Sequence, residues 1–283
     1  MPFQDELLAV LRETVIPGGI ILNALRGQLD NHPKDSDLPT HFADSMSTAH
    51  TLADDLVQEV ALEILQRRGR RFRINAEEDT ARTKIFSGDM TSYCYHIDPL
   101  DGTLSFLEGR DGFAIGAAFS KDLVFQASVI YFPAQDRVYL AQRGQGIRVE
   151  SSIGEEIEFN RRTPSSEYFI ERRVQDLIPV VNSMQLRPLT TMGAHHGMVS
   201  IALGDARVLM YGRASPHDFG IPQVIVEEAG GVCTDIAGAP VQYDESFNRV
   251  PCFLSFSSES DKKEFFEHYA NLNYETRTRW SPT

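Results

Sequence analysis

The apolar residues at the start of the chain recur at helical spacing. Leu7, Leu11 and Val15 belong to a series that predicts a helix over 4–26. Pro17 is expected to kink or break this helix, because proline lacks a backbone donor and crowds the preceding turn. Residues 30–45 are rich in Asp, Pro, His and Ser, and this composition predicts a loop.

After a second helix the pattern changes to strands. The helix is predicted over 47–68 and ends at Gly69. Its apolar face is expected to consist of Leu52, Leu56, Val60 and Ile64. Short segments rich in β-branched and aromatic residues then predict strands at 71–76, 92–98, 113–120, 123–132 and 136–142. Their short connectors favour antiparallel pairing.

The second half of the chain mixes helices and strands. Residues 197–229 predict a helix, a strand and a helix, and strands are also predicted at 232–235 and 252–257. A final helix is expected to begin at the capping residue Ser258. The chain is therefore predicted to be an α+β protein. A change of composition near 150–165 predicts two subdomains, 1–155 and 156–283.

Composition narrows the classes of function. The 283 residues are 42% hydrophobic and 24% charged, which is typical of a globular protein. Cys94, Cys233 and Cys252 form no CxxC pair, so neither a disulfide framework nor a thiolate zinc site is indicated. A formal charge of −13 disfavours nucleic acid polymers and anionic membranes as partners. The acidic start is unlike a signal peptide, and no stretch approaches the roughly 20 apolar residues of a membrane span, so we expect a cytoplasmic protein.

The segment HIDPLDGT carries the most informative chemistry. Asp98 and Asp101 leave a predicted strand through a turn, so their carboxylates can converge on one point, where the Leu100 carbonyl can add an oxygen. Hard divalent cations prefer such oxygen ligands. Gly102 allows a ligand to approach the backbone, and its amide and that of Thr103 can receive phosphate. A plain strand-ending turn is the alternative, because Asp, Pro and Gly are ordinary turn residues.

Two further acidic elements also have ordinary explanations when each is taken alone. Glu77, Glu78 and Asp79 follow the first predicted strand, and adjacent acids repel one another unless a cation neutralises them or water screens them. A solvated loop is the alternative for this run. Asp218 precedes a predicted helix, where capping of the helix N-terminus would explain it.

Taken together, four segments resemble the signatures of the inositol monophosphatase superfamily, which are a TxAD-like segment, GEE, DPxDGT and WDxAAGxxxxxEAGG. In this chain they read TLAD from Thr51, AEED from Ala76, IDPLDGT from Ile97 and HDFGIPQVIVEEAGG from His217. The resemblance spans residues 51–231. It implies the fold of the inositol monophosphatases and fructose bisphosphatases, a layered α/β/α/β/α sandwich with largely antiparallel sheets. It also implies a lithium-sensitive, Mg²⁺-dependent phosphatase.

The resemblance further implies roles for individual residues. Up to three Mg²⁺ ions would be bound by Glu77, Asp98, the Leu100 carbonyl, Asp101 and Asp218, with Asp54 contributing to the third. Thr103 and Glu77 would orient the attacking water, and the amides of Gly102 and Thr103 would bind phosphate. Substrate contacts are expected from Gly193, Ala194, His195 and Arg213.

The chain also departs from the family pattern. His217 stands where the family has a Trp, and Tyr211 stands where inositol monophosphatases proper have an acidic residue that grips inositol hydroxyls. The basic position of the bisphosphate nucleotidase branch falls at Gly197. His195 and His196 are candidates for a distinct pocket, although an adjacent His pair is also common at surfaces.

Arg213 is the other divergent candidate. It would bind a second anionic group on the substrate or pair with a surface acid. The leading hypothesis is hydrolysis of an inositol, sugar or amino-alcohol phosphate monoester by metal-activated water. A 3′(2′),5′-bisphosphate nucleotidase and a catalytically weak regulator that binds a phosphorylated metabolite are the alternatives. A homodimer is expected by analogy.

Overall fold

The first sheet contains seven strands that lie side by side in chain order. The computed structural model describes residues 6–32, 49–69, 72–86, 92–190 and 192–272. The strands are β1 (Arg73–Ala76), β2 (Tyr93–Asp101), β3 (Ala114–Lys121), β4 (Val124–Phe132), β5 (Arg137–Gln142), β6 (Gly146–Glu150) and β7 (Glu156–Ile157). From β2 to β7 the pairing is antiparallel, as the short connectors predict. β1 and β2 are instead parallel, contrary to the prediction, because a long connection containing a 3₁₀ helix joins them.

The first helix, α1 (Leu7–Leu25), runs continuously through Pro17, so the predicted break is wrong. Proline removes one intrahelical hydrogen bond, but close packing holds the turns on either side of it. At Gly18 a Cβ atom would collide with Val57 and Ile115, which shows how near the helix lies to its neighbours. Within the described ranges α1 is the one helix long and apolar enough to cross a membrane, and half of its most apolar window is buried in the fold.

The second helix, α2 (Leu52–Arg67), buries a different face from the one predicted. Leu52 and Leu56 are 64% and 46% exposed. The buried positions are Ala53, Asp54, Val57, Gln58, Ala61, Leu62 and Leu65. Asp54 and Gln58 interrupt the apolar stripe on the buried face. For this reason the hydrophobic pattern predicted that the opposite face of the helix is buried. The predicted start at 47 and most of the predicted loop at 30–45 lie outside the described residues.

The second sheet has five strands in the order β11-β12-β10-β8-β9. They are β8 (Glu167–Ile170), β9 (Arg187–Pro188), β10 (Val208–Ala214), β11 (Val232–Asp235) and β12 (Val250–Phe256). The remaining helices are α3 (Thr103–Leu107), α4 (Ile178–Ser183), α5 (Ala194–Leu203), α6 (Ile221–Glu228) and α7 (Glu259–Tyr269). The predicted helix, strand and helix of 197–229 are confirmed as α5, β10 and α6. β6 to β9 were not predicted.

Three hydrophobic clusters define the layers. One lies between the first sheet and the pair α1 and α2. The second fills the space between the sheets around α5 and α6 and includes Phe125 from β4 and Phe253 from β12. The third covers the outer face of the second sheet beneath α4 and α7. This order confirms the predicted α/β/α/β/α sandwich, and the division at 155 and 156 stays a prediction.

Candidate metal centre

A β-bulge at the end of β2 brings Asp98 and Asp101 to the same side. Asp98 pairs with Gly116 and Asp101 with Ala114, so three steps along β2 match two along β3. In a regular strand, residues three apart face opposite sides of the sheet, and the extra residue cancels that alternation. The Leu100 amide donates to Asp98 Oδ1 at 3.1 Å and fixes the bulged turn.

The N-terminus of α5 holds the Asp101 carboxylate. The Ala194 amide donates to Oδ1 at 2.8 Å and the His195 amide donates to Oδ2 at 3.0 Å. Gly193 precedes them in extended backbone, and a Cβ atom there would overlap the carboxylate. These two amides therefore orient an acidic side chain, which is a different environment from a direct substrate contact.

Asp218 completes a compact group of acids. It lies in a π-helical turn, Pro216–Gly220, between β10 and α6, where the Ser215 side chain caps the turn by accepting from the His217 amide. One carboxylate oxygen each from Asp98, Asp101 and Asp218 lie within 4.8 Å of one another. The structure thus brings together three of the acids that the sequence selected.

Glu77 lies directly after β1 and beside this group. Its amide donates to the Ile97 carbonyl at 3.2 Å, which continues the pairing of β1 with β2. The Asp98 carboxyl is completely buried, and that burial raises its pKa well above the usual range. The charges of Glu77, Asp101 and Asp218 and a hydrogen bond with Glu77 add to this rise.

Asp54 lies in the first turn of α2, and Thr103 begins α3 just after β2. In the first turn of α2, Asp54 Oδ2 accepts from the Thr51 amide at 2.7 Å as part of a capping box. Burial, followed by the charge of Glu77, raises the pKa of Asp54 to about 7. Thr103 Oγ1 donates to the Leu100 carbonyl at 3.0 Å and lies 3.5 Å from Asp54 Oδ1.

This donor set fits Mg²⁺. A buried carboxyl such as that of Asp98, whose pKa is raised by burial and by neighbouring acids, needs a cation or a proton to remain in place. In the described part of the chain, no arginine or lysine forms an ion pair with Asp98 or Asp101. Oxygen ligands from carboxylates and a backbone carbonyl are those that hard divalent cations select.

Gly102 turns the chain from β2 into α3. Its φ of 78° lies in the left-handed region, and a Cβ atom would lie 2.8 Å from the Gly112 carbonyl oxygen and 3.0 Å from that of Met192. No residue other than glycine fits this turn without strain. The phosphate contacts expected from the Gly102 and Thr103 amides stay predictions.

The divergent residues fall in different environments. The His195 side chain is fully buried, with Nε2 3.0 Å from the His217 carbonyl oxygen and 3.6 Å from Asp98 Oδ2. The side chain is therefore enclosed beside Asp98, and the substrate contact expected from His195 stays a prediction. Arg213 is exposed and has a φ of 55°, and its carbonyl accepts from Arg249 Nη1 at 3.4 Å. Partial burial lowers the pKa of His196.

Sequence reasoning missed three residues that support the ligands. Gln58 clamps the Glu78 backbone, since its amide donates to the carbonyl and its oxygen accepts from the N–H. Asn75 and His96 precede Glu77 and Asp98 by two positions and hydrogen bond to each other at 3.1 Å. Because side chains two apart in a strand share a face, that spacing is the signal that finds them.

Comparisons with known proteins agree with this geometry. The model of the inositol monophosphatase family matches residues 4–252. A putative Nus factor SuhB from Neisseria meningitidis serogroup A is 28% identical over 211 residues, which cover 69% of this chain and 79% of that protein. A histidinol-phosphatase from Chlorobaculum parvum is 34% identical over 148 residues, which cover 50% of this chain and 57% of that protein.

A solved structure extends the likeness to the fold. An IMPase from Thermotoga maritima superposes with a TM-score of 0.70 at 21% identity, over 93% of this chain and 97% of that one. The family match covers the first sheet, the second sheet up to the start of β12 and every acid of the candidate centre. This chain belongs to the inositol monophosphatase family.

Proposed function

We propose that this protein hydrolyses a small phosphate monoester at the acidic centre. The observation that carries the proposal is the convergence of Asp98, Asp101 and Asp218, with Glu77 beside Asp98, next to the left-handed turn at Gly102. Bound Mg²⁺ supplies positive charge that neutralises phosphoryl oxygens and lowers the pKa of water.

The residues of the chain have distinct roles in this proposal. Glu77, Asp98, Asp101, Asp218 and the Leu100 carbonyl hold Mg²⁺. The Thr103 hydroxyl and Glu77 orient the attacking water, and the amides of Gly102 and Thr103 receive phosphate oxygens. Asp54, whose Oδ1 lies 3.5 Å from Thr103 Oγ1, would contribute to a third Mg²⁺ site. The water oxygen bonds to phosphorus as the phosphorus–oxygen bond to the alcohol breaks, the water releases a proton to solvent, and the departing alcohol oxygen takes one up.

The proposed substrate is an inositol phosphate, a sugar phosphate or an amino-alcohol phosphate. The family match supports the first class, and the similarity to a histidinol-phosphatase supports the last. Arg213 is proposed to contact a second polar or anionic group of the substrate. A homodimer and a cytoplasmic location stay predictions.

Phosphate release from a panel of esters tests the proposal. The panel contains inositol 1-phosphate, fructose 1,6-bisphosphate, histidinol phosphate and 3′-phosphoadenosine 5′-phosphate, each with Mg²⁺ and with EDTA. We expect release that requires Mg²⁺, and we expect Asp98→Asn to lower kcat by about 100-fold or more, because an amide cannot supply the charge that a metal ligand provides.

Asp122→Asn is the matched control, since Asp122 lies in the exposed turn between β3 and β4. Near-normal turnover by Asp98→Asn would contradict the role of that carboxylate. Preference for the nucleotide bisphosphate would favour the nucleotidase. Tight binding of an ester without hydrolysis would favour a regulator, which the similarity to a putative Nus factor makes the second candidate.

A further inference from the structure

His217 connects two segments that carry predicted metal ligands. It is the residue before Asp218, and its Nε2 lies 3.1 Å from the Asn75 carbonyl oxygen, across 142 positions of the chain. Asn75 lies two residues before Glu77, at the end of β1. The contact therefore joins the turn that holds Asp218 to the strand end that holds Glu77.

The partners of the His217 ring determine its tautomer. A carbonyl oxygen only accepts, so Nε2 carries the proton. Nδ1 lies 3.3 Å from Ser215 Oγ, and that hydroxyl accepts from the His217 amide at 3.1 Å. Both ring nitrogens therefore have a hydrogen-bond partner in the fold.

The bridge continues into the first sheet through a second histidine. The Asn75 side chain donates to His96 Nδ1, which leaves Nε2 of His96 to donate to Ser120 Oγ at 2.8 Å. The His96 side chain is fully buried. It lies between the rings of Phe125 and Phe247. Asn75 therefore has a fixed support.

A third histidine supports the other side of the bridge. His195 Nε2 lies 3.0 Å from the His217 carbonyl oxygen, so it too carries the proton. Its ring packs against Gly116, where a Cβ atom would overlap Cε1. The His195 amide also donates to Asp101, and the His195 ring lies beside Asp98. His195 therefore contacts Asp101, Asp98 and the backbone of the residue before Asp218.

We propose that His217 is a positioning residue that sets the separation of the Glu77 and Asp218 ligand segments through its Nε2–H···O=C bond to Asn75. The inference depends on the proposed metal centre and goes beyond it, because it assigns a role to a side chain outside the proposed ligand set. Residues that support metal ligands typically contribute 10-fold to 100-fold to metal affinity or activity.

Two polar substitutions of His217 separate the bridge from general packing. In His217→Gln the amide nitrogen occupies the place of Nε2 and can still donate to the Asn75 carbonyl. In His217→Asn the amide ends at the place of Nδ1 and cannot reach it. Binding of Mn²⁺, a paramagnetic substitute for Mg²⁺, is measured on the metal-free full chain by electron paramagnetic resonance.

We expect His217→Asn to weaken Mn²⁺ binding by about 10-fold and His217→Gln by less than about threefold. In activity assays His217→Asn should raise the Mg²⁺ concentration for half-maximal rate, while KM for the ester at saturating Mg²⁺ stays close to the parent value. The matched controls are His268→Asn and His268→Gln. His268 lies on α7, outside the candidate metal centre, and its Nδ1 hydrogen bonds to Ser183 Oγ of α4 at 2.8 Å. Both should bind Mn²⁺ as the parent does.

Equal Mn²⁺ affinity for the two His217 variants, whether both low or both normal, would overturn the inference. If the parent chain binds Mn²⁺ but hydrolyses no ester, the proposed function fails while the affinity comparison still tests the bridge. Should His217→Asn fail to fold, His217→Leu takes its place, since it removes the Nε2 donor and is expected to weaken Mn²⁺ binding by about 10-fold. Equal Mn²⁺ affinity for a folded His217→Leu and for His217→Gln would likewise overturn the inference.

Discussion

Asp54 performs two tasks with one carboxylate. Oδ2 caps α2 through the Thr51 amide, and Oδ1 faces Thr103 at the metal centre. Burial and the charge of Glu77 make the ionised form costly, whereas the hydrogen bonds from Thr51 favour it. Burial dominates, so the residue is a compromise between helix capping and chemistry.

Because the pKa of Asp54 is raised, the free energy of unfolding of the metal-free protein should increase as the pH falls from 8 to 6. A carboxyl with a pKa of about 7 in the folded chain and 3.8 in the unfolded chain binds a proton preferentially when folded. Ionisation of the Asp54 carboxyl therefore lowers the free energy of unfolding above pH 7. This loss disappears as the pH falls through 7 and the carboxyl binds a proton. Between pH 8 and pH 6 the free energy of unfolding should rise by on the order of 1 kcal/mol from this group.

Urea unfolding in EDTA at pH 6, 7 and 8 measures this effect. Asp54→Asn keeps an oxygen for the Thr51 amide but has no proton to bind, so its free energy of unfolding should rise less over the same range. Asp98 contributes in the same direction in both proteins, because its pKa is also raised. Identical pH dependence in the parent and in Asp54→Asn would show that Asp54 titrates in its ordinary range.

At the scale of single residues, the sequence identified the acids but not their environments. Asp98, Asp101 and Asp218 are recognisable because their spacing and neighbours follow a family signature. The spacing marks Asn75 and His96 as sharing a face with Glu77 and Asp98, but their contact with each other depends on the parallel pairing of β1 with β2, which residues far apart in the chain determine. For the same reason the burial of His195 was not predictable from its position beside His196.

At the scale of elements, α2 shows why an apolar pattern can indicate the wrong face. Leu52, Leu56, Val60 and Ile64 follow helical spacing, yet the first two are exposed. The face that packs on the sheet contains Asp54, which caps the helix, and Gln58, which hydrogen bonds to the Glu78 backbone. Polar groups with partners inside the fold lie on a buried face, and there the rule relating polarity to exposure fails.

This reversal of faces predicts unequal effects of two leucine substitutions in α2. Leu62 is fully buried, so Leu62→Ala should lower the free energy of unfolding by about 2–5 kcal/mol through lost burial and a residual cavity. Leu56 is 46% exposed, and Leu56→Ala should change the free energy of unfolding by about 0.5 kcal/mol or less. Urea titration of both variants with the parent chain measures the difference. Similar losses for the two variants would mean that Leu56 packs against another part of the molecule.

At the scale of the whole molecule, the candidate metal centre draws on both sheets. Glu77 follows β1, and Asp98 and Asp101 lie in β2 of the first sheet, while Asp218 follows β10 of the second. The cluster between the sheets joins residues of β3 and β4 to residues of α5, α6 and β12. Neither of the predicted subdomains, 1–155 and 156–283, contains a complete site or all of this cluster.

The shared cluster predicts that the two subdomains unfold together. Scanning calorimetry in EDTA, so that metal does not join the sheets, should give one transition with equal calorimetric and van't Hoff enthalpies. The reason is that separating the sheets exposes side chains such as Phe125 and Phe253, which are almost wholly buried in the intact fold. A fragment of residues 1–155 should accordingly lack cooperative unfolding and bind an apolar dye, because its face toward α5 and α6 has no cover. Two separate transitions, or a fragment that unfolds cooperatively, would show instead that each sheet carries a self-sufficient core and that the metal centre formed where two stable units meet.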